Sequence, residues 1–139
     1  MALTQVEQRF LSTQRRGRLA TISPGGSPQV KPVGFAYNAE LGTIDIAGFN
    51  MGSSAKYRNI RANPQVAFVV DEVQFEGIDG VRFVEIRGRA ESVSGQAPAD
   101  SHLAPEIIRI HPRRVLAFNI DPGHPGLQTR DVAADQAAV

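Results

Sequence analysis

Apolar and polar positions alternate along this chain in short runs broken by turn residues. Near the start, Val6, Phe10 and Leu11 fall on one side of a short helix, and Thr4 with Glu7 has the spacing of a capping box. "GRLATIS" then alternates like a half-buried strand, "PGGSP" supplies a turn, and "QVKPVGFAY" resumes the strand pattern, so residues 17–37 predict a hairpin. "NAELG" is the next turn and "TIDIAGF" a third strand. "SSAKYRNIRANP" (53–64) reads as a helix, capped by Ser53 or Ser54 and stopped by Pro64. "QVAFVVDEV" is a short β-branched run, hence a buried strand, and "QFEGIDG" a loop. In "VRFVEIRGRAESV", Val84, Ile86, Gly88 and Ala90 share a face, with Gly88 marking a bend. "SGQAPADSHLAP" is a loop or short helix. "EIIRIHPRRVLAFNI" is two strands, or one broken at His111-Pro112. "QTRDVAADQAAV" lacks periodicity and predicts a tail from residue 128, mobile or touching a partner. Six or seven short strands, one or two short helices and no βαβ unit predict an all-β fold, an antiparallel barrel, over residues 1–127.

Charge adds an asymmetry to this frame. The net charge is only +1, yet from Gln8 to Val70 eight cations face two acids, while from Asp71 onward eleven acids face seven arginines. Such a division suggests an anionic ligand on the basic side. Cysteine is absent, which excludes disulfides and thiolate metal sites. No leader-like or membrane-spanning apolar run is present, so a cytoplasmic protein away from the membrane is expected.

Self-sufficient catalytic chemistry is missing. There is no P-loop, no G-x-G-x-x-G after a strand and no G-x-S-x-G elbow. His102, His111 and His124 lack metal-ligand spacing, and the adjacent Asp71 and Glu72 would point to opposite faces of a strand. An enzyme with this sequence needs a cofactor to carry the reaction.

The basic helix is where an anionic cofactor could be held. A helix N-terminus exposes unpaired N–H groups and the positive end of a dipole, and phosphate binds there readily. Ser53 and Ser54 add hydroxyls, Lys56 and Asn59 share one helix face, Arg58 and Arg61 share another, and Tyr57 and Ile60 can point to the core. Small residues in "KPVGFAY" and "DIAGFN" would let a flat ring lie close to the backbone.

These residues carry a resemblance. "RLATISPGGSPQVKPVGFAY", then "GTIDIAGFNMGSSAKYRNIRANPQVAFVVDEV", then "VRFVEIRGRAESV" resemble, in order over residues 17–93, the pyridoxamine 5′-phosphate oxidase-like split-barrel superfamily. The most specific piece is the S-x-K-x-x-N-I-x-x-N-P-x-V-A run, followed by a strand ending Arg-Gly-x-Ala-Glu. The chain looks most like its coenzyme F420-dependent branch, common in actinobacteria. The resemblance implies a homodimer of six-stranded split barrels holding F420 or FMN at the subunit interface. It implies that Lys56 contacts the cofactor phosphate, with Ser53 and Ser54 in the loop beside it. It implies that Lys31, Pro32, Val33 and Gly34 line the ring, with Ala47 and Gly48 on the neighbouring strand, and that Arg58, Asn59 and Arg61 lie close by. The second-strand pattern of the FMN oxidases is not present in that form, which points away from pyridoxamine phosphate oxidation itself.

The expected function is an F420-dependent oxidoreductase acting on a small organic substrate, with FMN as the alternative cofactor. Arg15, Arg16 and Arg18 are candidates to meet the glutamate tail of F420, and Tyr37 and Tyr57 are candidate proton donors, both weak. Loops 72–80 and 94–105, with a segment of the partner chain, are expected to shape the substrate pocket. A second reading is a flavin or haem carrier without turnover. A third, nucleic-acid binding, is disfavoured because Phe35, Tyr37, Phe49, Tyr57 and Phe68 mostly sit at core-like positions rather than beside cations.

Overall fold

A computed structural model of the chain describes residues 2–95 and 102–133. Helix α1 (Gln5–Ser12) is followed by β1 (Arg16–Ile22), β2 (Pro28–Gly34), β3 (Ala36–Asn38) and β4 (Thr43–Ala47). A 3₁₀ turn (Met51–Ser53) leads into α2 (Ala55–Ala62). Then come β5 (Gln65–Val73), β6 (Val81–Val93), β7 (Ile107–Phe118) and β8 (Leu127–Asp131). The strands pair antiparallel in the order β2-β1-β5-β6-β7-β4-β3, with β8 added to β7. The all-β split-barrel class is as expected.

The strand count is eight rather than six or seven, for two local reasons. First, "QVKPVGFAY" divides at Phe35: β2 pairs with β1, whereas β3 pairs with β4. Phe35 itself turns inward and meets Phe68 edge-on at 5.1 Å, which fixes the crossing point. Second, the expected tail from residue 128 begins as a strand. Residues 127–131 pair with Phe118–Arg114 of β7, and Val132 is buried, its N–H on the Arg113 carbonyl. Residues 134–139 lie outside the described residues.

Period-two burial builds the core. Leu19 of β1, Val66, Phe68 and Val70 of β5, and Val84, Ile86 and Ala90 of β6 all point inward. Gly17 is required on the same face: a Cβ there would fall 2.3 Å from the Phe68 ring. On β7 the inward set is Ile108, Ile110 and Pro112, then Val115 and Ala117, a change of phase by one residue. The register shifts opposite, between Arg87 and Gly88, where a Cβ on Gly88 would come 2.3 Å from the His111 carbonyl oxygen. Pro112 sits where β7 leaves β4 and takes up β8, so its missing N–H breaks neither ladder. The break anticipated at His111-Pro112 is therefore a bulge within one strand.

Helix α1 carries the capping box: Glu7 N–H donates to Thr4 Oγ1, and Thr4 N–H donates to Glu7 Oε1. Its Phe10 and Leu11 are buried. Helix α2 closes one end of the barrel with Tyr57 and Ile60, as their spacing predicts.

Candidate functional site

The β2 strand is the first wall of the site. It has β1 on one side and ends the sheet path on the other. Alternate N–H and C=O groups along that open edge are available to a ligand. Gln29, Lys31 and Val33 share one face, and Pro32 and Gly34 share the opposite one, because side chains alternate along a strand. The residues predicted to line a ring are thus divided between two faces. Val33 is in the core, so only its backbone is accessible, whereas Lys31 and Pro32 are exposed. A Cβ on Gly34 would meet nothing within 4 Å, so packing within the chain does not require glycine there, and the space beside it is open.

The second wall is the end of β4 and the turn after it. Ala47 and Gly48 are partly exposed, and Gly48 accepts a hydrogen bond from Ala104 N–H at 3.0 Å. That bond draws residues 104–106 across this corner. Glu106 then lies so close to the 3₁₀ turn that a Cβ on Gly52 would be 2.8 Å from its Oε1. The sequence reading missed Glu106. Its one signal was the run of small residues at 47, 48 and 52, which leaves room for an approaching segment.

The third element is α2. Ser54 is its N-cap: Oγ accepts Tyr57 N–H at 3.3 Å and donates to the Met51 carbonyl at 2.7 Å, and the Ser54 carbonyl accepts Arg58 N–H. Its hydroxyl is therefore engaged in holding the turn. Ser53 is exposed, with its hydroxyl on the Asn50 carbonyl. The N–H groups of Ala55 and Lys56 have no carbonyl behind them in the helix and point out of its end. Asn59, at 1% exposure, faces the other way: its Nδ2 donates to Thr21 Oγ1 and to Gln29 Oε1, fastening α2 to β1 and β2. Gln29 lies two residues from Lys31 on the same face of β2, so that bond brings the Lys31 side of β2 towards α2.

Cations outnumber acids at this corner, where Glu106 lies against the turn before α2. Among the described residues Lys31, Lys56, Arg58 and Arg61 make no ion pair. Lys56 is partly buried while Arg58 and Arg61 are exposed. Elsewhere Arg18, Arg82, Arg87, Arg109, Arg114 and Arg130 are paired with carboxylates, whereas Arg9, Arg15, Arg16, Arg89 and Arg113 make no ion pair among the described residues. Arg18 is 2.8 Å from Asp71, and Arg16 lies at the Gly34 end of β2, away from α2. Tyr37 sits near Leu3 and Glu7 rather than by α2; burial raises its pKa, and the Glu7 charge adds to that. Tyr57 is buried beneath α2. His111 and His124 face Glu91 and Asp121 in different parts of the chain, and His102 is exposed.

A groove of about 510 Å³ lies elsewhere, on β1, β5 and β6 between Ala20, Ile22, Ala67, Arg87 and Arg89. None of the predicted site residues lines it. An open strand edge, helix N–H groups and unpaired cations converge at the α2 corner, which makes it the candidate site on grounds other than cavity volume.

The comparisons with known proteins bear on the family and the fold. The pyridoxamine 5′-phosphate oxidase family matches residues 3–125. The chain is 42% identical over 137 residues to the 5a,11a-dehydrotetracycline/5a,11a-dehydrooxytetracycline reductase of Streptomyces rimosus, covering 97% of this chain and 96% of that protein. A solved structure described as an F420 reductase is 29% identical, with a TM-score of 0.54 over 70% of this chain and 85% of its own. A haem-binding protein of Mycobacterium smegmatis shares the fold, with a TM-score of 0.70 at 13% identity, covering 96% of this chain and 58% of that one. No helix among the described residues is long and apolar enough to cross a membrane. The chain belongs to the pyridoxamine 5′-phosphate oxidase family of split-barrel oxidoreductases.

Proposed function

We propose that this protein is a reductase that uses reduced coenzyme F420, with the cofactor phosphate at the start of α2 and its ring against the β2 edge. The observation that carries the reading is the cationic corner: Lys56, partly buried and without a carboxylate partner among the described residues, beside the free N–H groups of Ala55 and Lys56. When bound, the deazaflavin supplies a hydride for an electron-poor double bond. The chain's own groups bind and orient. Lys56 and the first turn of α2 hold the phosphate. The β2 edge offers backbone N–H and C=O groups to the polar side of the ring, and the open space at Gly34 leaves room for it. The glutamate tail of F420 continues from its phosphate, so Arg58 and Arg61 on α2 are better placed to meet it than Arg15, Arg16 and Arg18. Arg16 is at the far end of β2 and Arg18 is held by Asp71. Neither tyrosine suggested by the sequence is placed to donate a proton here, and the proton that completes reduction comes from solvent.

The S. rimosus relative is named for the reduction of dehydrotetracyclines. By that likeness, the acceptor assigned here is an activated C=C bond of a flat polycyclic molecule, and Ala47, Gly48 and Gly34 keep the approach shallow enough for one. The proposal includes a cytoplasmic homodimer whose second copy completes the cofactor cleft. FMN has a tricyclic ring of similar shape and a phosphate but lacks the acidic tail.

Fluorescence titration with F420, in parallel with FMN, tests the reading. F420 is expected to bind more tightly, and Lys56→Ala to weaken it by about 10-fold or more, the worth of a charge-assisted contact. Unchanged affinity in Lys56→Ala, or binding of FMN alone, would overturn it.

A further inference from the structure

Glu106 brings a carboxylate to the α2 corner, and the chain makes no use of its charge. It is partly buried, and among the described residues it has no ion pair and no hydrogen bond. Its position is nonetheless fixed from three sides. Ile107, the next residue, pairs with Ala47 where β7 meets β4. Two residues upstream, Ala104 N–H donates to the Gly48 carbonyl at 3.0 Å. The third side is Gly52, where a Cβ would fall 2.8 Å from Glu106 Oε1 and 3.1 Å from Oε2. Gly52 is not among the glycines with positive φ, so its backbone conformation does not demand glycine. The carboxylate lying over it does.

Opposite charges that meet inside this chain close on one another: Asp45 and Arg109 at 3.0 Å, Glu7 and Arg130 at 2.6 Å. Glu106 and Lys56 do not, although Lys56 opens the helix that follows directly on the Gly52 turn. The corner therefore presents both signs, each without a partner in the chain. A cleft that took only an anion would lose affinity to a carboxylate set in its wall, since like charges repel. The carboxylate is accounted for by a ligand group of the opposite sign. An ionised carboxylate can only accept hydrogen bonds, and a charged donor meets it about twice as strongly as a neutral one. Partial burial raises the cost of leaving such a charge unmatched once a ligand has displaced water from it. A protonated amine is the group that meets both conditions.

We propose that Glu106 is a specificity-determining residue that receives a protonated amine on the molecule this protein reduces. The amine lies at the Ala47–Gly48 wall, and the cations of α2 are left to the anionic group. The inference deepens the proposed function by naming the chemical class of the acceptor, a flat molecule bearing a basic amine. It rests on that reading for the place where the acceptor lies. Gly52 acquires a role with it, as the residue whose missing side chain lets the carboxylate stand in the wall.

One ring in three charge states tests the proposal. At neutral pH naphthylmethylamine is a cation, naphthylmethanol is neutral and naphthylacetate is an anion. Each is titrated calorimetrically into the protein, with F420 bound and without it. The amine is expected to bind about 10-fold or more tightly than the alcohol, with the acid weakest. Glu106→Gln keeps the shape of the side chain and removes its charge, so amine and alcohol should then bind within about 2-fold of each other. Gly52→Ala keeps the charge and displaces it. The atoms it meets are the end of a flexible side chain, so the fold is retained and the same loss of preference is expected. Equal affinities in the wild type, no binding of any of the three, or a preference for the amine that survives Glu106→Gln would each overturn the proposal. So would a Glu106→Gln variant whose ranking is intact but whose self-association in sedimentation is weakened, because the carboxylate would then have its partner in a second copy. F420 titration of the same proteins keeps the two readings apart. Amine preference without F420 binding removes the coenzyme reading and leaves this inference; F420 binding without amine preference does the reverse.

Discussion

Two charged regions of this molecule are built in the opposite way to a third. Where α1 meets β8, Glu7 is 4% exposed and Arg130 closes on it with two hydrogen bonds, 2.6 and 2.8 Å, and a third to the Ala2 carbonyl at 2.7 Å. Across β3, β4 and β7, Asp45 receives Arg109 at 3.0 and 3.1 Å, Asn38 at 3.0 Å and Thr43 at 2.9 Å. At α2, Lys56, Arg58 and Arg61 make no ion pair among the described residues. Charges in the first two places hold the chain together, and their partners are built in. Charges in the third have no such partner among the described residues and contribute little to the fold, which leaves them open to a bound anion. Stability and binding should then respond separately to substitution.

The largest effect is expected from Arg130→Ala. It strands the Glu7 carboxylate, whose side chain is only 5% exposed. Removing one partner of such a pair costs about 3 kcal/mol, since the remaining charge stays desolvated. A chain of this size should lose on the order of 10 °C in Tm. Lys56→Ala should leave Tm within about 1–2 °C of wild type, because no ion pair or side-chain hydrogen bond among the described residues is lost. Thermal unfolding of the two variants side by side decides it. A comparable loss in both would mean that Lys56 holds the fold and that the contrast is wrong.

The Asp45 network sharpens the same contrast through pH. Burial pushes the Asp45 carboxyl up, but hydrogen bonds from Arg109, Asn38 and Thr43 and the Arg109 charge outweigh it, so the pKa ends below its ordinary value. The unfolded chain therefore binds a proton there more readily than the folded one. The stabilisation is fully present above about pH 4 and is lost as pH falls through the folded value. Asp45→Asn should lower stability by about 1–2 kcal/mol at neutral pH and flatten the acid limb of the stability profile. F420 affinity measured at neutral pH should not change. A variant that keeps the wild-type acid limb would assign that limb to other carboxylates.

The sequence made the frame of this molecule readable where side-chain period and caps act locally. Thr4 with Glu7, the inward set of β5 and β6, and the Ser54-to-Pro64 limits of α2 all follow from nearest neighbours along the chain. Three features were not readable because they depend on distant partners. Phe35 breaks a strand because Phe68 lies thirty-three positions on, ready to receive its ring. Residues 127–131 lack apolar periodicity but become a strand because β7 offers an open edge beyond Pro112. Glu106 reaches Gly52 only because Ala104 bonds to Gly48. At the site, the unbalanced cations on α2 were visible in composition. The inward use of Asn59 was not, since it requires Thr21 and Gln29 to stand opposite.

The smallest effect tests how the cations on α2 divide their work. Lys56 is partly buried, whereas Arg58 and Arg61 are exposed. Exposed charges act through solvent and are screened by salt; a partly buried one is screened much less. Exposed pairs contribute about 0.2–1 kcal/mol, so the double variant Arg58→Ala with Arg61→Ala should weaken F420 by only about 2- to 5-fold. The loss should shrink towards nothing at about 1 M salt, where the screening length is near 3 Å. The Lys56→Ala loss should survive there. Titrating F420 molecules with longer and shorter glutamate tails separates the roles further. Affinity should rise with tail length in the wild type and in Lys56→Ala, but not in the double arginine variant. Were the tail-length dependence to persist without Arg58 and Arg61, the acidic tail would have to run elsewhere. Arg89, beside Arg61 in the shallow groove on β6, is the next cation in line, and its removal would then be the variant that abolishes the dependence.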